Sequence, residues 1–268
     1  MQRLLIVENL EKRYGGLGTP RTKDVRALQG VSFSIGRHSM LALVGESGSG
    51  KSTLALCVAC LERAMSGSIR FNGNEITTLD RKQLRAMRPK IQLVFQDPGR
   101  SLNPSFTALE TVSEPLRVQR RLGRREREDR ARMLLAQVGI PQEKALQTAH
   151  EFSGGQRQRL AIARALALEP ELLILDEALS ALDCSVQAQI ANLLLELQSS
   201  LGLTCLFITH DLTMAAHVAN EIAVMEHGRI VEQGAVDKVL RTPDHEVTRR
   251  LIAATPRMAA AAYAPQAV

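Results

Sequence analysis

The chain has 268 residues, a formal net charge of +6 and a hydrophobic content of 45%, enough for one large domain or a domain carrying a subdomain. Aromatic residues make up only 3%, with no Trp, so the core is aliphatic and a base-stacking single-strand binder is disfavoured; the positive balance reads as Arg-rich surface helices, and weak attraction to anionic lipid or a membrane subunit fits equally well. No apolar run approaches the ~18 residues of a membrane span, the start Met1–Glu8 is too soon acidic for a secretory signal, and cysteines 57, 60, 184 and 205 make no disulfide framework, which together describe a cytoplasmic chain.

Residues 2–9 are apolar enough for a first strand, and Leu10–Pro20 reads as a Gly-containing loop with one aromatic, Tyr14. Ala27–Ile35 alternates Val31, Phe33 and Ile35 as a strand does. Gly36–His38 turns the chain into a short apolar run, Leu41–Val44, that suits a buried strand. Next come Gly45, Glu46, Ser47, Gly48, Ser49, Gly50, Lys51, Ser52 and Thr53, which fit the phosphate-loop pattern G-x-x-x-x-G-K-[ST]. A helix over Thr53–Leu61 completes the strand–loop–helix context that the motif requires. Glycines let the backbone wrap phosphate oxygens, and the loop N–H groups and the helix N-terminus face the anion. Lys51 would then reach the outer phosphates, and the Ser52 hydroxyl would ligate Mg²⁺. A Gly/Ser-rich turn before an ordinary helix is the weaker reading of so complete a motif.

Ser66–Ile76 predicts a hairpin with Asn72-Gly73 at its turn. Asp80 is placed to cap a short helix ending at Met87. Ile91–Phe95 is a buried strand that ends at Gln96. From Asp97 to about His150 the pattern is helical and charged, punctuated by Pro98, Pro104, Pro115 and Pro141, and residues 97–165 read as an inserted helical subdomain. The arginines between Arg117 and Arg132 are a solvated helix face on this reading. Ser153 caps a helix, followed by Gly154 and Gly155, and Leu160–Leu168 is helical. That is a second helix N-terminus suited to phosphate. One chain cannot easily bring both to the same phosphate, so the second serves another subunit.

Glu171–Asp176 is a continuous apolar run of the kind found in a parallel sheet covered on both faces. Asp176 at its end can hold Mg²⁺, and Glu177 can polarise an attacking water. Ser185–Leu201 is an amphipathic helix, Thr204–Thr209 a buried strand, and Leu212–Ala219 a helix. A hairpin joins Glu221–Met225 to Arg229–Gln233 around His227-Gly228. The alternation predicts an α/β fold with a mainly parallel core sheet and an antiparallel N-terminal part. Residues 258–268 are low in complexity and read as a frayed or disordered tail. Cys57 and Cys60 have C-x-x-C spacing without a second pair nearby and read as small core residues.

From about residue 4 to residue 255 the chain resembles the nucleotide-binding subunit of ABC transporters, a family of phosphate-loop ATPases. Phe152-Ser153-Gly154-Gly155-Gln156-Arg157-Gln158-Arg159 looks like the family signature, with Phe152 where Leu is usual. The resemblance assigns Glu177, His210 and Lys51 to catalysis, His210 as the γ-phosphate sensor. It makes Tyr14 the aromatic that stacks on adenine, Asp183 part of the loop that communicates across a dimer, and Gln96 the link between nucleotide and membrane partner. ATP would contact residues 45–53, Tyr14, Gln96 and Asp176, and the signature residues Ser153, Gly154, Gly155 and Gln156 with Asp183 would complete the site of a partner. Mg²⁺ would be held by Ser52, Gln96 and Asp176. The implied assembly pairs this chain with a second ABC ATPase, identical or related, two membrane permeases and an extracytoplasmic binding protein, at the cytoplasmic face of a bacterial inner membrane. No nucleic acid is expected.

Residues 95–107 (FQDPGRSLNPSFT) look like an insertion of the oligopeptide, dipeptide and nickel importer group. A C-terminal extension over about 235–257 resembles that group's, and the absence of Cys after 205 brings the chain closer to short dipeptide- and nickel-type ATPases. Ala178, where Pro is commoner, points weakly to the nickel type. The rival reading is a soluble ABC-type ATPase acting on nucleic acid or an enzyme complex. Cargo is not set by this sequence, because the binding protein and permeases select it.

Overall fold

The apolar runs of the sequence form the middle of one sheet. In the computed structural model, which describes residues 2–15, 25–119 and 122–255, the chain opens with β1 (Arg3–Tyr14), β2 (Val25–Gly36), β3 (Met40–Val44) and helix α1 (Lys51–Val58). It continues with β4 (Ser66–Phe71), β5 (Asn74–Glu75), α2 (Arg81–Met87) and β6 (Ile91–Val94). Four helices follow: α3 (Pro98–Ser101), α4 (Ala108–Gln119), α5 (Arg124–Gln137) and α6 (Gly154–Leu166). Then come β7 (Leu172–Asp176), α7 (Cys184–Leu201), β8 (Thr204–Thr209), α8 (Leu212–Val218), β9 (Glu221–Glu226), β10 (Arg229–Ala235), α9 (Val236–Arg241) and α10 (Glu246–Ala254).

Six strands lie in the order β10-β9-β3-β8-β7-β6. All neighbours are parallel except β10, which pairs antiparallel with β9. Successive side chains alternate between the faces of a strand, and here each face meets its own core. Met40, Ala42, Val44, Leu173, Leu175 and Phe207 pack with helices α4 to α10. Leu41, Leu43, Leu172, Ile174, Leu206 and Ile208 pack with α1 and the second sheet. Burial on both faces explains why these strands read as unbroken apolar runs.

The second sheet is antiparallel in the order β2-β1-β4-β5, and it presents Leu5, Val7, Leu10, Val31, Phe33 and Ile69 to the shared core. Its β4–β5 turn and the β9–β10 turn each use two residues with positive φ, Asn72-Gly73 and His227-Gly228, as tight hairpins require.

Some boundaries differ from the sequence reading. Strand β1 does not stop at residue 9: Leu10–Tyr14, expected as loop, continues pairing with β2. Residues 16–20 of the expected loop and the tail 258–268 lie outside the described residues. Helix α1 ends at Val58 rather than Leu61, because Cys60 turns to φ 56. Helix α6 begins at Gly154, directly after its expected cap Ser153, and ends at Leu166 rather than Leu168.

The parallel order sets the site. The C-terminal ends of β3, β8, β7 and β6 all open on one edge, with Val44 beside Thr209, Asp176 beside Ile208 and Val94 beside Leu175. In open α/β sheets ligands bind at that edge.

Candidate functional site

The phosphate loop leaves β3 and is walled by both sheets. Gly50 takes φ 108, and a Cβ there would meet the Ala27 carbonyl oxygen at 2.4 Å. A Cβ on Gly45 would stand 2.2 Å from the Met225 carbonyl oxygen. Only glycine fits such close backbone approaches. The Gly228 N–H donates to the Ser49 carbonyl at 2.8 Å, so the β9–β10 turn braces the loop from outside. Sequence reasoning missed the walls Ala27, Met225 and Gly228, since they come from distant strands and carry no motif.

Lys51 is only 4% exposed and folds back along the loop. Its ammonium donates to the Gly45 carbonyl at 2.9 Å and the Glu46 carbonyl at 2.8 Å. Burial pulls its pKa down, and the carboxylates of Glu177 and Asp176 oppose that pull. The buried Ser49 Oγ has no partner, while Glu46, Ser47 and Gly48 are exposed and Thr53 is half-buried in α1.

The Ser52 hydroxyl donates to Asp176 Oδ1 at 3.1 Å. Burial pushes the Asp176 carboxyl up, with Glu177 acting the same way, while the Ser52 bond and Lys51 act against it. One hydroxyl beside one carboxylate suits Mg²⁺, a hard cation that takes most of its remaining oxygens from water and phosphate. The glycine-walled loop and the unpartnered Ser49 hydroxyl suit a polyphosphate.

Glu177 is where the other expected groups converge. Its Oε1 stands 4.0 Å from Lys51 Nζ, and its Oε2 stands 3.9 Å from His210 Nδ1 and accepts from Gln96 Nε2 at 3.2 Å. Its backbone holds φ 47, fixed by an N–H bond to the Ile208 carbonyl at 3.0 Å. Such left-handed backbone is costly for a side chain other than glycine and tends to occur at functional sites. The Ser180 hydroxyl donates to the Glu177 carbonyl at 2.9 Å and accepts from Gln96 at 3.3 Å, a bridging role that the sequence did not single out. Gln96 meets Glu177 and Ser180, whereas the hydroxyl paired with Asp176 is that of Ser52, so the structure does not bring Gln96 to the Ser52–Asp176 pair by hydrogen bonding.

The signature stands elsewhere. Ser153 Oγ accepts from the Gln156 N–H, and the Gln156 side chain accepts in return from the Ser153 N–H, a reciprocal cap on α6. A Cβ on Gly155 would lie 2.5 Å from Val186, and one on Gly154 would lie 3.3 Å from Leu182. The signature thus rests on the start of α7, where the exposed Asp183 is the N-cap without a side-chain capping bond. Among the described residues no hydrogen bond or ion pair joins 153–156 to 45–53. Phe152 is buried and leaves the glycines in place. Tyr14 ends β1, opposite Val25 and two residues along β2 from the Ala27 wall of the loop, and it is 38% exposed.

The family model for ABC transporters matches residues 28–180. The chain is 48% identical to a probable peptide ABC transporter ATP-binding protein of Sinorhizobium fredii, over 94% of this chain and 72% of that protein. It is 43% identical to the dipeptide transport ATP-binding protein of Escherichia coli, over 96% of this chain and 78% of that one. A glutathione import ATP-binding protein of Escherichia coli is 46% identical over 99% of this chain, which spans 43% of that longer protein. Among solved structures, a cassette from Clostridium perfringens that is part of an ABC transporter complex superposes with a TM-score of 0.80 at 32% identity, covering 98% of this chain and 99% of that one. A dimeric ATP-binding cassette in a post-hydrolysis state with ADP and Pi gives 0.77 at 31% identity, over 87% and 98%. With its phosphate loop, acidic strand end and signature in that one fold, this chain belongs to the ABC transporter family as one of its ATP-binding, ATP-hydrolysing subunits.

Proposed function

We propose that this chain drives a bacterial importer of short peptides, binding ATP between two ATPase subunits and coupling its hydrolysis to uptake through two permeases fed by an extracytoplasmic binding protein. The observation that carries the reading is the convergence of Lys51, Gln96 and His210 on the Glu177 carboxylate. The peptide, dipeptide and glutathione relatives support peptide cargo over nickel. No helix of the described residues is long and apolar enough to cross a membrane, which fits a subunit held at the cytoplasmic face by its permeases.

In this mechanism the loop N–H groups and Lys51 bind the triphosphate. Mg²⁺, held by Ser52 and Asp176, would supply charge neutralisation at the phosphate oxygens. The Glu177 carboxylate orients the attacking water and accepts the proton that the water sheds as it adds to the terminal phosphate. His210 lies beside the same carboxylate and senses the terminal phosphate. Gln96, bonded to Glu177 and Ser180, passes the state of the site to the permease groove. Ser153, Gly154, Gly155 and Gln156, with Asp183 beside them, serve the nucleotide held by the partner's phosphate loop, which is consistent with their separation from loop 45–53 within one chain. Residues 97–165 act as an inserted helical subdomain and 235–257 as a C-terminal extension of one ATPase domain.

Uptake of a labelled dipeptide, glutathione and ⁶³Ni²⁺ by cells lacking this chain tests the reading. Loss of peptide uptake, restored by the intact chain, is expected. Loss of nickel uptake alone would overturn the peptide assignment. Normal uptake of all three, with nucleic acid copurifying with the chain, would favour a soluble ATPase.

A further inference from the structure

Lys12 occupies a position that the phosphate-loop chemistry does not explain. It lies two residues before Tyr14 on β1, and its Nζ stands 5.0 Å from the centroid of the Tyr14 ring. That is within the ~6 Å reach of a cation–π contact. The same ammonium donates to Glu62 Oε2 at 2.7 Å and to the Arg63 carbonyl at 2.8 Å. Glu62 and Arg63 belong to the segment that closes α1, where the N–H groups of Leu61 and Glu62 both donate to the Leu56 carbonyl. One residue therefore touches the ring and the segment that follows the helix whose first residue is Lys51. The seam continues beyond it: the Glu11 carbonyl accepts from the Met65 N–H at 2.8 Å, and its carboxylate accepts from Ser66 Oγ at 3.0 Å.

We propose that Lys12 is a positioning residue for the nucleotide base: it fixes the Tyr14 ring at a set place relative to the phosphate-loop helix and leaves the ring open to a planar aromatic base. The lysine is well suited to the task. Its hydrogen bond to Glu62 raises its pKa against the opposing effect of burial, so the charge that attracts the ring persists. A lysine free in solvent would let the ring sample several rotamers and would cost the base its prearranged platform. Tyr14 as a residue stays 38% exposed with the ammonium already over its ring.

The inference rests on the reading of Tyr14 as the base-stacking aromatic, and the test separates the two. The full-length chain is titrated by calorimetry with Mg-ATP and with Mg-tripolyphosphate, which has phosphates and no base. Tyr14→Ala is expected to weaken ATP about tenfold and leave tripolyphosphate unchanged. Lys12→Met is expected to weaken ATP about threefold, again without effect on tripolyphosphate, and to add little in the double variant with Tyr14→Ala. Lys12→Arg should restore most of the loss. Glu62→Gln, which removes the negative charge that holds the ammonium and leaves it only neutral acceptors, should weaken ATP in the same direction as Lys12→Met and gives a second measurement independent of that variant's folding. If Tyr14→Ala changes neither ligand, the stacking reading falls and the Lys12 proposal falls with it. If Tyr14→Ala weakens ATP and neither Lys12→Met nor Glu62→Gln does, only the Lys12 proposal is overturned. Equal weakening of ATP and tripolyphosphate by Lys12→Met would make Lys12 a support of the loop itself, which also overturns it.

Discussion

Ser52 and Asp176 are joined by a 3.1 Å hydrogen bond across 124 residues of sequence, so the first turn of α1 and the end of β7 share one oxygen cluster. Ser52→Ala removes a hydroxyl that both orders the carboxylate and stands ready to ligate a cation. The Mg²⁺ concentration for half-maximal ATP hydrolysis should rise at least about tenfold, since a lost ligand costs no less than a lost outer partner of a metal site. A hydrolysis titration with Mg²⁺ measures it. An unchanged requirement would remove Ser52 from the metal site.

Glu177→Gln keeps the volume and an acceptor for Gln96 but loses the negative charge between Lys51 and His210. Hydrolysis should fall by about a hundredfold or more, the range associated with a general base. Nucleotide binding should survive, so ATP should trap a dimer visible by light scattering. Wild-type turnover in this variant would refute the catalytic assignment.

Lys51→Ala acts earlier in the cycle. The ammonium ties the Gly45 and Glu46 carbonyls together and supplies the loop's buried positive charge. Both ATP affinity and ATP-driven dimerisation should be lost, and peptide uptake with them. The contrast with Glu177→Gln is the informative part, since one variant should bind without turning over and the other should not bind. Tight ATP binding by Lys51→Ala, measured with a fluorescent nucleotide, would sink this division of labour.

Legibility followed burial and motif. Strands β3, β7 and β8 were plain because both faces are covered, which leaves no polar positions to blur a short apolar run. The phosphate loop and the Asp176-Glu177 pair were legible because phosphate chemistry dictates their residues. Strand β1 extends past its legible apolar start, and its second half, Glu8–Tyr14, is charged and irregular: register shifts fall between Val7 and Leu10 and between Lys12 and Arg13, and Asn9 takes φ 49. Bulges of that kind break the period-two pattern on which strand reading depends. The convergence on Glu177 was implied by resemblance alone. Its physical basis is the strand order β3-β8-β7-β6, which no single stretch of sequence encodes. Lys12 was overlooked for a related reason, because its partners Glu62 and Arg63 lie beyond α1 and signal nothing by themselves.

Far from the nucleotide, Glu232 offers a test of how the C-terminal helices are held. The residue is 8% exposed, and its carboxylate accepts from the Asp244 N–H at 2.9 Å, the His245 N–H at 3.1 Å and the Thr248 hydroxyl. Burial alone would push this carboxyl up, but the three donors outweigh it, and the folded pKa lies below the usual glutamate value of 4.5. A carboxyl depressed in the folded state stabilises the fold above its unfolded pKa, and that contribution is lost as pH falls through the lower folded value. Glu232→Gln replaces a charged acceptor with a neutral amide and should cost about 1–2 kcal/mol at pH 7, on the scale of hydrogen bonds to a charged group. In a chain of this size that is a drop of several degrees, at about 2–4 °C per kcal/mol. The gap between wild type and variant should stay constant from pH 7 to about pH 5.5 and narrow as the pH falls below about 4.5, where the unfolded carboxyl takes up its proton while the folded one still resists it. Melting curves across that range measure it, and a gap that widens on acidification would show that Glu232 is not held as a carboxylate by Asp244, His245 and Thr248.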